Sequence, residues 1–301
     1  MAFRFSIIAM FSGALAALPL CAADKKDDPS QIGNRNVGRC VNFYSIQKEI
    51  SLGKQLAEEV SRQTKMHQDP VLAEFVNRLG QNLVRNSDAK VPFSFRVIED
   101  DTPNAFALPG GFVFVNTGLI KLASEEDELA GAMAHEIAHV AARHLTCRAT
   151  EHQIVRTAGG IGGILLGGGW AGMAGRDAMT AGLPMAFLKF SRADETEADY
   201  LGTQYMYAAG YDPTGAVSIF EKLLALQRKQ PGLAERVLSA HPMDADRIDR
   251  TEREIQRILP SRPEYVVNTS EYTWMRERVI EGAQKSAPGR PALRPTIRRE
   301  E

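Results

Sequence analysis

The chain of 301 residues has almost no net charge, with 36 Lys and Arg against 37 Asp and Glu. No overall field therefore argues for nucleic acid as a partner. No internal repeat is visible, and the length suits one large domain with a sizeable core. Cysteine is scarce, at three residues, and so is tryptophan, at two; Trp170 and Trp274 read as packing or interfacial residues. Long apolar runs are confined to residues 5–20 and 157–175. Proline is absent from Glu125 to Thr146, where Gly131 is the only glycine. That last absence marks a strong helix, and the helix carries the chemistry.

Residues 135–139 read His-Glu-Ile-Ala-His. Two histidines four apart on a helix share a face, one turn above the other, so their ring nitrogens can converge on one metal ion. Glu136 lies about 100° around the axis from His135. There its carboxylate can take a proton from water beside the metal without binding the metal itself. This is the HExxH arrangement of zinc hydrolases. Ser124-Glu125-Glu126-Asp127 predicts the helix N-cap and an acidic first turn. Leu129, Met133, Ile137 and Val140 form its apolar stripe, and six alanines add propensity and close packing.

Two histidines rarely hold zinc alone. The segment Ser191–Gly202 offers carboxylates: Glu195 and Asp199 share one helical face, whereas Glu197 points elsewhere. Glu195 is the expected third ligand, and Asp199 is placed to accept a hydrogen bond from a ligand histidine. His144 follows His135 by about two and a half turns, on the opposite face of a continuous helix, and is not expected as a ligand. His67 and His152 belong to no visible constellation.

AHEIAHVAARH (134–144), SRADETEADYLG (191–202) and AHPMDADRI (240–248), in this order, resemble the zinc metallopeptidase family of HtpX, BepA and the CAAX prenyl endopeptidases, the gluzincins. NAFALPGGFVFVNTGLI (104–120) resembles the same family, where it supplies the strand bordering the cleft, and the likeness covers residues 43–280. The resemblance implies His135, His139 and Glu195 as ligands and Glu136 as general base. It implies that His241 lies near the metal, in BepA-like proteins at a coordination position, and that Arg247 is close by. Asn104, Phe112, Val113 and Phe114 would then face a substrate peptide, which can pair with a free strand edge by main-chain hydrogen bonds. The helical repeats that follow the domain in BepA-like members, and the membrane spans of HtpX and the prenyl endopeptidases, find no counterpart here.

The expected organisation follows the composition. Arg4, the apolar run Phe5–Leu20 and Cys21-Ala22-Ala23 read as a signal peptide, residues 1–23, with an uncleaved anchor or lipoprotein processing at Cys21 as alternatives. Export would leave Cys40 and Cys147 either as a disulfide or as two small buried hydrophobes. Residues 24–42 read as a flexible leader, 43–282 as the metallopeptidase domain, and 283–301 as a disordered basic tail. Helices are predicted over 44–64, from Asp69-Pro70, over 192–208 and 213–228, and from Pro242 to Ile258. Strands are predicted around Phe93–Val97 and at Phe112–Val115, after a turn at Pro109-Gly110-Gly111. The glycine-rich run 157–175 is long enough for a membrane span but weakly hydrophobic. It reads as a lid or a peripheral membrane contact.

The fold expected is α+β and mainly helical, a zincin-like metallopeptidase domain with a small β-sheet whose strand borders the cleft. The function expected is an exported, periplasmic zinc metalloendopeptidase that cuts misfolded envelope proteins, with one Zn²⁺ per chain. Its rival is a chaperone-like binding factor with a latent or structural zinc site, against which the intact Glu136 argues. His241 has two opposed readings: a gate that displaces the catalytic water, or a donor to the oxyanion, a role Arg247 could share.

Overall fold

The alanine-rich stretch after Ser124 folds into the helix around which the rest is packed. A computed structural model of the chain describes residues 25–38, 40–158, 190–229, 241–282 and 295–299. Among these, the elements run α1 (Ile46–Gln63), α2 (Pro70–Arg85), β1 (Ser94–Ile98), β2 (Ala105–Leu108), β3 (Phe112–Asn116), α3 (Thr117–Leu122), α4 (Glu126–Ala141), α5 (His144–Ala158), α6 (Arg192–Ala209), α7 (Thr214–Lys229), α8 (Ala245–Ile258), β4 (Glu264–Thr269), α9 (Ser270–Glu281) and β5 (Pro295–Arg299). The architecture is α+β and mainly helical. Among the described residues no helix is long and apolar enough to cross a membrane. Residues 1–24, with the signal-peptide reading, and 159–189, with nearly all of the glycine-rich run, lie outside the described residues.

Every residue of α4 except Ala132 is buried, as suits a helix at the centre of a domain. Leu129, Met133 and Ile137 pack in one core with Leu79 and Leu83 of α2, Leu201 and Met206 of α6, and Ile219 of α7. Two glycines set how close the neighbours come. A Cβ on Gly202 of α6 would lie 3.1 Å from the backbone nitrogen of His135, and one on Gly131 would lie 2.8 Å from Cα of Ala216 in α7. The backbone carrying the HExxH residues is therefore gripped from both sides.

The ends of α4 differ from the sequence expectation. Its N-cap is Glu125 rather than Ser124; the Glu128 carboxylate accepts from Ser124 N at 2.6 Å and Glu125 N at 3.5 Å. The helix does not continue to Thr146. It stops at Ala141, and Arg143 takes φ 60°, the left-handed region, before α5 begins at His144. A non-glycine residue there costs about 1–2 kcal/mol. The Arg143 side chain is anchored by the Glu49 carboxylate, at 2.6 and 2.8 Å, and by the Tyr44 carbonyl.

The larger sheet has the order β1-β3-β2, with β1 parallel and β2 antiparallel to β3. The Phe112-Val113-Phe114 strand is therefore central, bonded along both edges, and cannot offer a free edge to a peptide. The edge strand that packs beside α4 is β2, which pairs Ala105 with Val115 and Leu108 with Phe112. Gly110 and Gly111 join the pair with φ of 76° and 93°, values that favour glycine.

Two segments expected to be loose have structure in their described residues, 25–38 with 40–42 and 295–299. Within the leader of residues 24–42, Gly33 N donates to Asp88 Oδ1 at 2.7 Å, and Arg35 pairs with Asp88 Oδ2 at 2.8 Å, both side chains almost wholly buried. Arg35 also donates to Gln204 Oε1 at 2.6 Å. A buried guanidinium needs such partners, and they lie far along the chain. Cys40 and Cys147 are bonded, with Cα atoms 5.9 Å apart, which fastens this segment to α5. Within the tail of residues 283–301, β5 pairs antiparallel with β4, and Arg298 pairs with Asp212 at 2.8 Å.

Candidate active site

His135 and His139 stand one turn apart on α4, with Nε2 atoms 3.0 Å apart. Glu195 comes from the first turn of α6, where the Ser191 hydroxyl accepts from Asp194 N and the Asp194 carboxylate accepts from Ser191 N. His241 precedes α8, whose N-cap Asp244 accepts from Arg247 N. These elements bring four donors together: His135, His139, Glu195 and His241, all buried, each with one atom within 4.8 Å of the others. His241 Nδ1 is 3.2 Å from His135 Nε2 and 2.9 Å from Glu195 Oε1. Glu195 Oε1 lies 3.4 Å from His139 Nε2, and its Oε2 lies 3.4 Å from His135 Nε2.

These spacings test whether the residues fit a metal. Four donors about 2.0–2.1 Å from a tetrahedral ion sit about 3.3 Å apart. Five of the six donor pairs are separated by 2.9 to 3.4 Å, and all four donors lie within 4.8 Å of one another. Three imidazole nitrogens and a carboxylate aimed at one another have more lone pairs than protons to share. A cation resolves that, so the donor set fits a metal ion.

Glu136, adjacent to the first ligand position, is buried and faces His241, whose Nε2 is 3.4 Å from Glu136 Oε1. Burial raises its pKa against the partial relief offered by His241 and His135. Burial opposes the charging of His135, but hydrogen bonds to Asp199 and Glu195 outweigh it and lift its pKa to about 9. Burial takes His139 the other way, well below the usual histidine range. Glu195 stays ionised despite burial, held well below the carboxylate range by His241 and Arg247.

Around the donors lies a second ring of contacts. Asp199 Oδ1 is 2.9 Å from His135 Nδ1. Arg247 does not point toward open space: Nε and Nη2 donate to Asp199 at 2.6 and 2.7 Å, and Nη1 is 2.6 Å from Glu195 Oε2. The Phe190 ring stacks on His139 with centroids 3.8 Å apart. His144, set aside on the assumption of a continuous helix, turns back at Arg143 and places Nδ1 2.9 Å from His139 Nδ1. Its Nε2 is 3.2 Å from Glu197 Oε2, the carboxylate expected to point elsewhere. Sequence reasoning missed His144, Glu197 and Phe190, and no glycine or proline at 141–143 announces the break.

A cleft reaches the donors between β2 and α7. Asn104, Ala105, His135, Glu136, Phe220 and His241 line it. Of the four residues expected to face substrate, Asn104 lines this cleft. Phe112, Val113 and Phe114 lie in β3 instead, the last two fully buried.

Residues 67–255 match the model of peptidase family M48. The chain is 34% identical over 235 residues to the beta-barrel assembly-enhancing protease of Escherichia coli (strain K12), covering 75% of this chain and 47% of that protein. To the putative beta-barrel assembly-enhancing protease of Vibrio cholerae serotype O1 it is 34% identical over 272 residues, covering 88% and 55%. To the mitochondrial metalloendopeptidase OMA1 of Schizosaccharomyces pombe it is 35% identical over 187 residues, covering 62% and 52%. The chain spans about half the length of the curated relatives it matches.

Proposed function

Since the chain belongs to peptidase family M48, we propose that it is a zinc metalloendopeptidase, exported to the periplasm, that cuts misfolded envelope proteins. The observation that carries this reading is the buried set His135, His139, Glu195 and His241 with the Glu136 carboxylate beside it. A purely structural metal site has no use for that carboxylate. The envelope substrates rest on the similarity to the beta-barrel assembly-enhancing proteases.

Zinc, when bound, polarises the scissile carbonyl and acidifies a water. His135, His139 and Glu195 would hold it. Asp199 accepts the Nδ1 proton of His135, which leaves the Nε2 lone pair facing the donor set. Arg247 fixes Asp199 and Glu195 together through its fork. Glu136 takes the proton of the attacking water and passes it to the leaving amine, a task suited by a pKa that burial raises. A substrate strand would lie along β2, with Asn104 and Ala105 at the cleft. His241 bridges Glu195 and Glu136, the region a reacting water must enter, which supports the gating reading over an oxyanion donor.

The test is zinc content and casein cleavage, with Glu136→Gln and Glu195→Ala beside the wild type. About one zinc per chain is expected in wild type and Glu136→Gln, cleavage in wild type alone, and loss of zinc in Glu195→Ala. Cleavage by Glu136→Gln near the wild-type rate would refute the mechanism, and full zinc in Glu195→Ala would refute the ligand set.

A further inference from the structure

His144 and Glu197 stand behind the donor set, and the mechanism above makes no use of them. Their contacts admit one proton arrangement. A neutral imidazole carries one N–H, and a histidine that offers Nε2 to a metal must carry it on Nδ1. His139 Nε2 faces the other donors, so its proton is on Nδ1. That atom is 2.9 Å from His144 Nδ1, which must therefore accept. The His144 proton is then on Nε2, 3.2 Å from Glu197 Oε2, a carboxylate that can only accept. Each step is forced by the one before, and no contact is left with two donors or two acceptors.

The far end of the chain of contacts is also anchored. Lys26 Nζ donates to Glu197 Oε1 at 2.9 Å, and Gly38 N donates to the same oxygen at 3.3 Å. Both come from the N-terminal segment that the Cys40–Cys147 bond and the Arg35–Asp88 pair fasten down. His144 is itself buried, so its ring rather than bulk solvent lies against His139 Nδ1. The left-handed Arg143 explains the placement. Without that turn His144 would face away from His139, and the strain is met by the Glu49 anchor.

We infer that His144 and Glu197 are positioning residues for His139: together they fix the tautomer and orientation that aim its Nε2 at the metal, with Lys26 holding Glu197 in place. This rests on the zinc reading above. It gives His139 through two side chains what Asp199 gives His135 through one. Partners of this kind are worth about 10- to 100-fold in metal affinity.

The experiment is zinc competition against a chromogenic chelator, with the full-length chain and four variants. His144→Leu removes the acceptor for His139, and zinc affinity should fall about 10- to 100-fold. His144→Asn keeps an acceptor oxygen near the position of Nδ1 and should lose less than about 10-fold. Glu197→Gln keeps an acceptor for His144 and should behave like His144→Asn, whereas Glu197→Ala should fall with His144→Leu. The Glu197 side chain is about a fifth exposed, so its two variants remain informative if His144→Leu does not fold. His144→Leu with wild-type affinity would overturn the inference. Equal loss in His144→Leu and His144→Asn would also overturn it, because a packing role does not distinguish an acceptor from a methyl group. Wild-type protein that binds no zinc would sink the parent reading and this one with it, an outcome distinct from the variant patterns.

Discussion

Replacing Arg247 with methionine separates a residue that holds the site together from one that stabilises an oxyanion. Arg247 is 3% exposed and spends its fork on two buried carboxylates, with nitrogen–oxygen distances of 2.6 and 2.7 Å to Asp199 and 2.6 Å to Glu195. The charges sustain each other: both carboxylates sit below their usual pKa, and Arg247 above its own, against the pull of burial. Removing one partner of a buried ion pair costs about 3–5 kcal/mol, because the other charge is left without compensation. That is a large part of a typical total of about 5–15 kcal/mol. With a urea m value on the order of 3 kcal/mol/M, the midpoint should fall by about 1 to 1.7 M. The metal-free protein should show the full loss; zinc facing Glu195 should recover part of it. Arg247→Lys keeps a charge but not the fork, and should fall in between. The assay is urea unfolding followed by circular dichroism, with and without chelator, beside kcat on casein. An oxyanion donor would behave differently, losing kcat while stability and zinc affinity stay unchanged. That pattern in Arg247→Met would refute the positioning role.

Three further outcomes follow from the same geometry. If His241 gates the site, His241→Ala raises basal casein cleavage with zinc retained, whereas a fall in kcat would show that it catalyses. Asp127 is lifted to about 8, first by burial and then by Asp212, Glu128 and Glu125. An acid whose folded pKa exceeds its unfolded value, near 3.9, binds its proton more tightly when folded, so stability falls as pH rises across that window. Thermal midpoints of Asp127→Asn should decline less between about pH 4 and 8 than those of wild type; an unchanged slope would count against the assignment. The Cys40–Cys147 bond spans a separation of 107 residues, and its removal in a Cys147→Ala variant should cost about 2–5 kcal/mol in urea unfolding. Non-reducing peptide mapping of the native protein should show the linked pair, and two freely alkylatable thiols would reject it.

What the sequence disclosed is what local periodicity controls. The helices over 46–63, 70–85, 192–209, 214–229 and 245–258 lie within a few residues of their predicted ranges, because each has an apolar stripe and a capping or proline start. Strand β2 was illegible for the opposite reason. Ala105–Leu108 is four residues long with two alanines, and it is extended only because β3 offers it a partner. Composition alone hid the contacts of residues 25–38 and 295–299. Polar, charged stretches look disordered until their partners are known, and here Asp88, Gln204 and Asp212 lie far along the chain from Arg35 and Arg298.

The site divides along the same line. Which residues donate to a metal is written locally, since two histidines must share one helical face and a carboxylate must stand on another helix to meet them. How each ring is turned is not written locally. The tautomer of His135 depends on Asp199, 64 residues away, and that of His139 on His144, which reaches it only because one residue, Arg143, leaves the helical region. Nothing in the composition around Arg143 marks that departure; the Glu49 carboxylate that anchors it lies 94 residues earlier. Glu197 in turn depends on Lys26, 171 residues distant. A helix-wheel argument that places His144 on the opposite face is correct for the helix it assumes. It fails here because tertiary contacts, not helix propensity, decide where α4 ends.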